Sequence, residues 1–157
     1  MIVSTCLEDY LITYALGSCV GVTVYDEVAG VGGLLHLMLP QSALSPERAT
    51  EHPYMFADTG LPLLFHEAYR RGAKKERLIV TAAGGASVAL GGSNEQGVGQ
   101  RNIAMLRKLL WKNGVLLRRH ELGGNDPRTL ALDVTTGDVV LSTGGETQLL
   151  YKKAEAK

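Results

Sequence analysis

A cysteine on a glycine turn, Cys19 in LGSC, is followed seventeen positions later by a histidine, His36 in VGGLLHLML. A thiol is mostly protonated at neutral pH, and its thiolate is the nucleophile. A neighbouring imidazole can take that proton, stabilise the anion and later protonate a leaving amine. Gly17 and Ser18 let the backbone turn tightly just before the thiol, and their amide N–H groups can converge on a developing oxyanion. Thr13 offers a hydroxyl or carbonyl to hold the imidazole in one tautomer. Each residue also has a plainer reading. Free cysteine is among the most buried residue types, and a histidine set among leucines is commonly a core residue bonded to a carbonyl. Spacing and residue type alone leave both readings open.

Geometry decides between them through the chain that joins the two residues. CVGVTVY, residues 19–25, alternates with a period of two, and VGGLLHLML, residues 31–39, makes a second, more apolar strand after the turn residues DEVAG. A hairpin turning about Glu27 and Val28 sets Cys19 directly opposite His36 on one face. Such pairs have Cβ atoms about 4.5–5.5 Å apart. A slip of one residue sends the two to opposite faces.

Composition and charge bound the class of protein and its partners. The chain has 157 residues, 45% hydrophobic and 20% charged, and is expected to form a single domain over 1–157. Sixteen basic residues balance sixteen acidic ones. With no global basic field, nucleic acid is not an expected partner. The N-terminal stretch lacks a secretory pattern, no run is long enough for a membrane helix, and Cys6 and Cys19 cannot build a disulfide framework. A cytoplasmic protein with free thiols, no membrane insertion and no cofactor is expected. The four histidines show no ligand spacing, so no metal is expected either.

The remaining elements must hold the pair in place. YLITYAL, residues 10–16, suits a strand; SPERATEH reads as a loop or short helical start capped by Ser45. Residues 53–71 turn helical, with Gly60 and Pro62 expected to break or kink the helix, and with Leu61, Leu64, Phe65 and Ala68 on one face. ERLIVTAAGG is a buried strand entering a long glycine loop, whose glycines allow close backbone packing near the cleft or a substrate contact. The loop lacks the GKS/T ending of a phosphate loop. RNIAMLRKLLWKNG is an amphipathic helix with Ile103, Leu106, Leu109 and Leu110 inward, and Arg101 and Asn102 at its start are candidates for contact with a substrate or partner. Trp111 belongs to the core or to a partner face. VLLRRHEL, RTLALDV and DVVLST follow as strands. The expected fold is a layered α/β sandwich with a mixed, mostly antiparallel sheet.

LGSCVGVTVYD, HLMLP, AGGAS, GQRNI and LGGNDPRTL, in that order over nearly the whole chain, resemble the CheD family of chemoreceptor glutamine deamidases. The resemblance implies an α/β sandwich related to other cysteine deamidases. It also implies a Cys–His–Thr site in which Cys19 matches the nucleophile, His36 the base and Thr13 the third member. The implied reaction is hydrolysis of glutamine side-chain amides on methyl-accepting chemotaxis receptors, with receptor methyl esters as possible further substrates. A CheC-type phosphatase is an implied partner. That partnership opens an alternative: a non-catalytic binding module that regulates the phosphatase.

Overall fold

Residues 1–87 and 97–153 are described by the computed structural model. Most of the long glycine loop and the end of the KKAEAK tail lie outside them. Among the described residues, two sheets and three α-helices form a layered α/β sandwich. The five-stranded sheet has the order β1-β4-β3-β5-β6, with β1 at Ile2–Ser4, β3 at Val20–Asp26, β4 at Val31–Leu37, β5 at Ile79–Gly84 and β6 at Leu117–Leu122. The four-stranded sheet has the order β2-β7-β8-β9, with β2 at Tyr10–Leu16, β7 at Arg128–Asp133, β8 at Val139–Thr143 and β9 at Glu146–Tyr151. Every pairing is antiparallel except β5 with β6. Those two strands are joined through the helix α3, Val98–Lys112, and such a crossover is what a parallel pair requires.

Side-chain parity on β3 and β4 builds both cores at once. Val20, Val22, Val24, Val31, Leu35 and Leu37 pack with Leu61, Leu64 and Phe65 of α2, Ala57–Arg70, and with Leu106 and Leu110 of α3. The alternate positions, Tyr25 and Leu34, meet Leu11, Leu16, Leu130 and Leu132 of the four-stranded sheet. Strict alternation therefore puts Gly21 and His36 on the face between the sheets. β1 and β9, which carry no such alternation, complete the edges without having been expected.

The β3–β4 hairpin differs in register from the expectation. Gly21, not Cys19, is paired with His36, and the ladder runs from Val20 opposite Leu37 to Asp26 opposite Val31. The cause is the turn. The Asp26 carboxylate accepts N–H bonds from Val28 at 3.0 Å and Ala29 at 3.1 Å, and Gly30 takes a left-handed φ of 62°. A capped loop over residues 27–30 replaces the tighter turn about Glu27 and Val28, and it moves the pairing along by two residues. Two is the strand period, so Cys19 keeps the face of His36 but lies diagonal to it.

Two helical expectations are also revised. Helix α2 passes through Gly60 and Pro62 unbroken. Burial of Leu61, Leu64, Phe65 and Ala68 against the sheet offsets the roughly 3 kcal/mol an interior proline costs. Ser45 precedes the short helix α1, Pro46–Glu51, but makes no side-chain cap. On α3, Trp111 points outward and is 84% exposed, so it is not a core residue.

The fully buried Asp26 also receives Lys74 N–H at 2.8 Å and the Arg77 guanidinium at 2.7 Å, tying the hairpin to the start of β5. Burial works to raise its carboxyl pKa, but the Arg77 bond and the backbone N–H groups outweigh it and hold the pKa below the usual value. A depressed folded pKa contributes stability that is present above the unfolded value, about 3.9, and lost as pH falls through the folded one. Asp26→Ala should cost on the order of 3 kcal/mol in denaturant unfolding at neutral pH, because it strands Arg77 and three N–H groups. The variant should also lose less stability on acidification than the wild type.

Candidate active site

The backbone around Cys19 is held by an unusual concentration of bonds to its carbonyls. Gly17 O accepts Ala86 N–H at 2.8 Å and Cys19 O accepts Gly85 N–H at 2.8 Å. Between them, Ser18 O accepts the Asn102 Nδ2 amide at 2.9 Å. The end of β5 can approach this closely only because residue 84 is glycine. A Cβ there would lie 2.3 Å from Cys19 O, at a φ of +113°. The close packing expected of the AGGAS glycines is thus seen at the described end of that loop.

Upstream, β2 carries a bulge. Its register with β7 shifts between Thr13 and Leu16, and Ala15 adopts a left-handed φ of 55°, the only non-glycine residue among those described to do so. Holding alanine there costs about 1–2 kcal/mol. The bulge turns Leu16 into the core and leaves Tyr14 and Ala15 exposed, so the chain enters the Cys19 turn with Thr13 still facing inward.

Thr13 then reaches across the gap between the sheets. Its Oγ1 lies 2.8 Å from His36 Nδ1. His36 Nε2 is buried and has no hydrogen-bond partner among the described residues. A buried N–H without a partner costs more than a lone pair left free. The favoured tautomer therefore has Nδ1–H donating to Thr13 Oγ1, with the Nε2 lone pair open. Gly21, opposite His36 in the ladder, keeps this space clear: a Cβ there would press on Leu16 and Leu130 at 2.9 and 3.0 Å and on Thr13 at 3.4 Å.

Burial sets the protonation of both groups. It lowers the His36 pKa below its ordinary value, so the ring is neutral at pH 7. It raises the Cys19 thiol, an effect partly offset by the residue's own backbone N–H. The thiol makes no hydrogen bond to the imidazole, in keeping with its diagonal position. The resting pair is a neutral thiol beside a neutral imidazole, not a preformed ion pair.

The structure joins Thr13 to His36 and sets Cys19, after Gly17 and Ser18, on the sheet face that His36 shares, and it separates Arg101 from Asn102. Arg101 is exposed and, with Pro40, Gln41, Ala104, Met105 and Lys108, lines a groove of about 210 Å³. Asn102, expected at a contact surface, is fully buried, and its amide also reaches Met38 O at 2.9 Å. The signal for this was present, because Asn102 falls four residues before Leu106 on the buried stripe of α3. A depression of about 250 Å³ between α2 and α3, lined by Leu61, Phe65, Tyr69 and Leu109, contains none of the candidate residues. Among the described residues, no three of His, Cys, Asp and Glu cluster to hold a metal, and no helix is long and apolar enough to cross a membrane.

A family model described as CheD chemotactic sensory transduction matches residues 38–143. The chain is 50% identical over 143 residues to a probable chemoreceptor glutamine deamidase CheD 1 of Syntrophus aciditrophicus, covering 91% of this chain and 89% of that protein. It is 48% identical over 139 residues to a protein of the same description from Solibacter usitatus, covering 88% and 82%. It is 43% identical over 133 residues to one from Pyrococcus abyssi, covering 84% and 80%. The family model begins after His36, whereas the Syntrophus match is too long to leave out Cys19 or His36.

The resting geometry makes a direct prediction for the thiol. The rate of Cys19 alkylation by iodoacetamide, followed by peptide mass spectrometry, should be low at neutral pH. It should rise with a midpoint above the ordinary thiol value of about 8.5. A midpoint well below that value would contradict a buried, unpaired thiol.

Proposed function

The chain belongs to the CheD family, and from that premise we propose that it hydrolyses glutamine side-chain amides on chemotaxis receptors through Cys19, His36 and Thr13. The observation that supports the mechanism best is the Thr13–His36 contact, which leaves the imidazole Nε2 lone pair free on the face that Cys19 shares. We read the chain as one catalytic domain acting on the cytoplasmic helices of its receptors, without a cofactor.

The steps follow from these groups. As substrate enters, the gap between Cys19 and His36 closes, because catalytic hydrogen bonds often tighten only in the complex. Nε2 takes the thiol proton, and the sulfur bonds to the carboxamide carbon. The oxyanion that forms faces the amide N–H groups of the Ser18–Cys19 turn. The imidazolium returns its proton to the departing nitrogen, the C–N bond breaks, and ammonia leaves a thioester. Water, deprotonated by His36, attacks the thioester; the C–S bond breaks, and the thiol and a glutamate carboxylate result. A receptor methyl ester can follow the same path with methanol as the leaving group. Arg101 and the groove beside it are placed to meet the receptor surface next to the cleft.

Receptor cytoplasmic fragments incubated with the protein should gain about one mass unit per converted glutamine, and Cys19→Ala should abolish the gain. If the wild type converts no glutamine yet stimulates a CheC-type phosphatase, and Cys19→Ala stimulates it equally, a regulatory binding role replaces the enzymatic one.

The pH dependence carries its own sign. Catalysis needs neutral His36, whose pKa burial depresses, so kcat/KM should fall on acidification with a midpoint below the ordinary imidazole value of about 6.5. Thr13→Val removes one hydrogen bond from the ring and should lower kcat about tenfold, with little change in KM.

A further inference from the structure

Three consecutive peptide planes make up the turn that carries the thiol. The carbonyls of the outer two, Gly17 O and Cys19 O, are bound by backbone amides of Ala86 and Gly85. The middle carbonyl, Ser18 O, is bound by a side chain, Asn102 Nδ2, at 2.9 Å. In a trans peptide the C=O and N–H of one plane point in opposite directions. Fixing Ser18 O toward α3 therefore turns the Cys19 N–H away from α3.

The same amide nitrogen spends its second hydrogen on Met38 O at 2.9 Å, two residues beyond His36. Two carbonyl acceptors facing one nitrogen fix the orientation of the amide, since the oxygen of a flipped Asn could bond neither. Asn102 is 0% exposed, so no solvent competes for these bonds. One NH₂ group thus joins the turn bearing the thiol to the end of the strand bearing the imidazole.

We infer that Asn102 is a positioning residue, a clamp that aims the Cys19 backbone N–H at the developing oxyanion and fixes the turn of Cys19 against the strand of His36. Asn102 touches neither the substrate nor the reacting atoms and acts only through the two carbonyls it binds. The inference rests on the proposed hydrolase, whose oxyanion the Cys19 N–H would meet.

The test uses two variants of the full chain. Asn102→Leu is of similar size, offers no donor and keeps water out, whereas Asn102→Ser keeps one donor. The readouts are kcat and KM for deamidation of a receptor fragment, and the pH midpoint of Cys19 alkylation with Cys6 in the same tube as reference. Asn102→Leu should lower kcat about 10²-fold, the scale of a lost oxyanion donor, with KM within about twofold. Asn102→Ser should fall between it and the wild type. In both variants the Cys19 alkylation midpoint should rise, because the N–H no longer faces the sulfur.

A purely structural asparagine would lower the melting temperature but leave kcat per folded molecule and the alkylation midpoint unchanged, and that result overturns the inference. Should Asn102→Leu fail to fold, wild-type kcat in Asn102→Ser is enough to overturn it. If the wild type converts no receptor glutamine, the hydrolase reading fails on its own, and the alkylation midpoint still decides whether Asn102 positions the thiol.

Discussion

Thr13 and His36 belong to different sheets, and their 2.8 Å contact exists only because the sheets pack face to face. The layer between the sheets is held by Leu11, Leu16, Leu34, Leu130 and Leu132, which are buried by the hydrophobic effect and take no part in chemistry. Those leucines set the spacing between the sheets, and the spacing sets the distance between hydroxyl and ring. The site is a polar break at the margin of an apolar layer, so its two partners stay hydrogen-bonded while the ring stays dry enough to remain neutral.

On the opposite side of the five-stranded sheet, the helical layer does a complementary job. Helix α3 packs its apolar stripe against β3 and α2 and, one turn from its start, substitutes an asparagine for a hydrophobic residue. The sheet-to-sheet interface therefore holds the base, and the helix-to-sheet interface holds the turn that carries the nucleophile. Strands β3 and β4 stand between the two and present a different face to each. The run from Thr13 to Met38 contains the turn, the hairpin and the base.

Much of this was legible in the chain. Strand β2 was expected at its observed limits, and the period-two pattern of residues 19–25 and the apolar run after DEVAG located the hairpin. Its register differs from the expected one because the deciding interaction is the Asp26 side chain folding back on the N–H groups of Val28 and Ala29, which residue patterning does not reveal. The face survives that difference, since a shift of two preserves parity. Strands β1 and β9 escaped notice because one has three residues and the other, ETQLLY, is largely exposed and lacks alternation. The polarity of Asn102 suggests a surface residue, whereas its helical phase with Leu106 points inward, and burial follows the phase.

The extra residue in β2 has a consequence for the spacing between threonine and cysteine. A bulge with Ala15 in the left-handed region absorbs one residue, so Thr13 and Leu16, an odd three positions apart, face the same side, and Cys19 follows Thr13 by six positions. Straightening the strand with all four residues kept would turn Ala15 inward and Leu16 outward, putting a leucine into water at the entrance to the turn. The bulge therefore governs how the strand delivers the thiol, even though none of the residues inside it needs to touch a substrate.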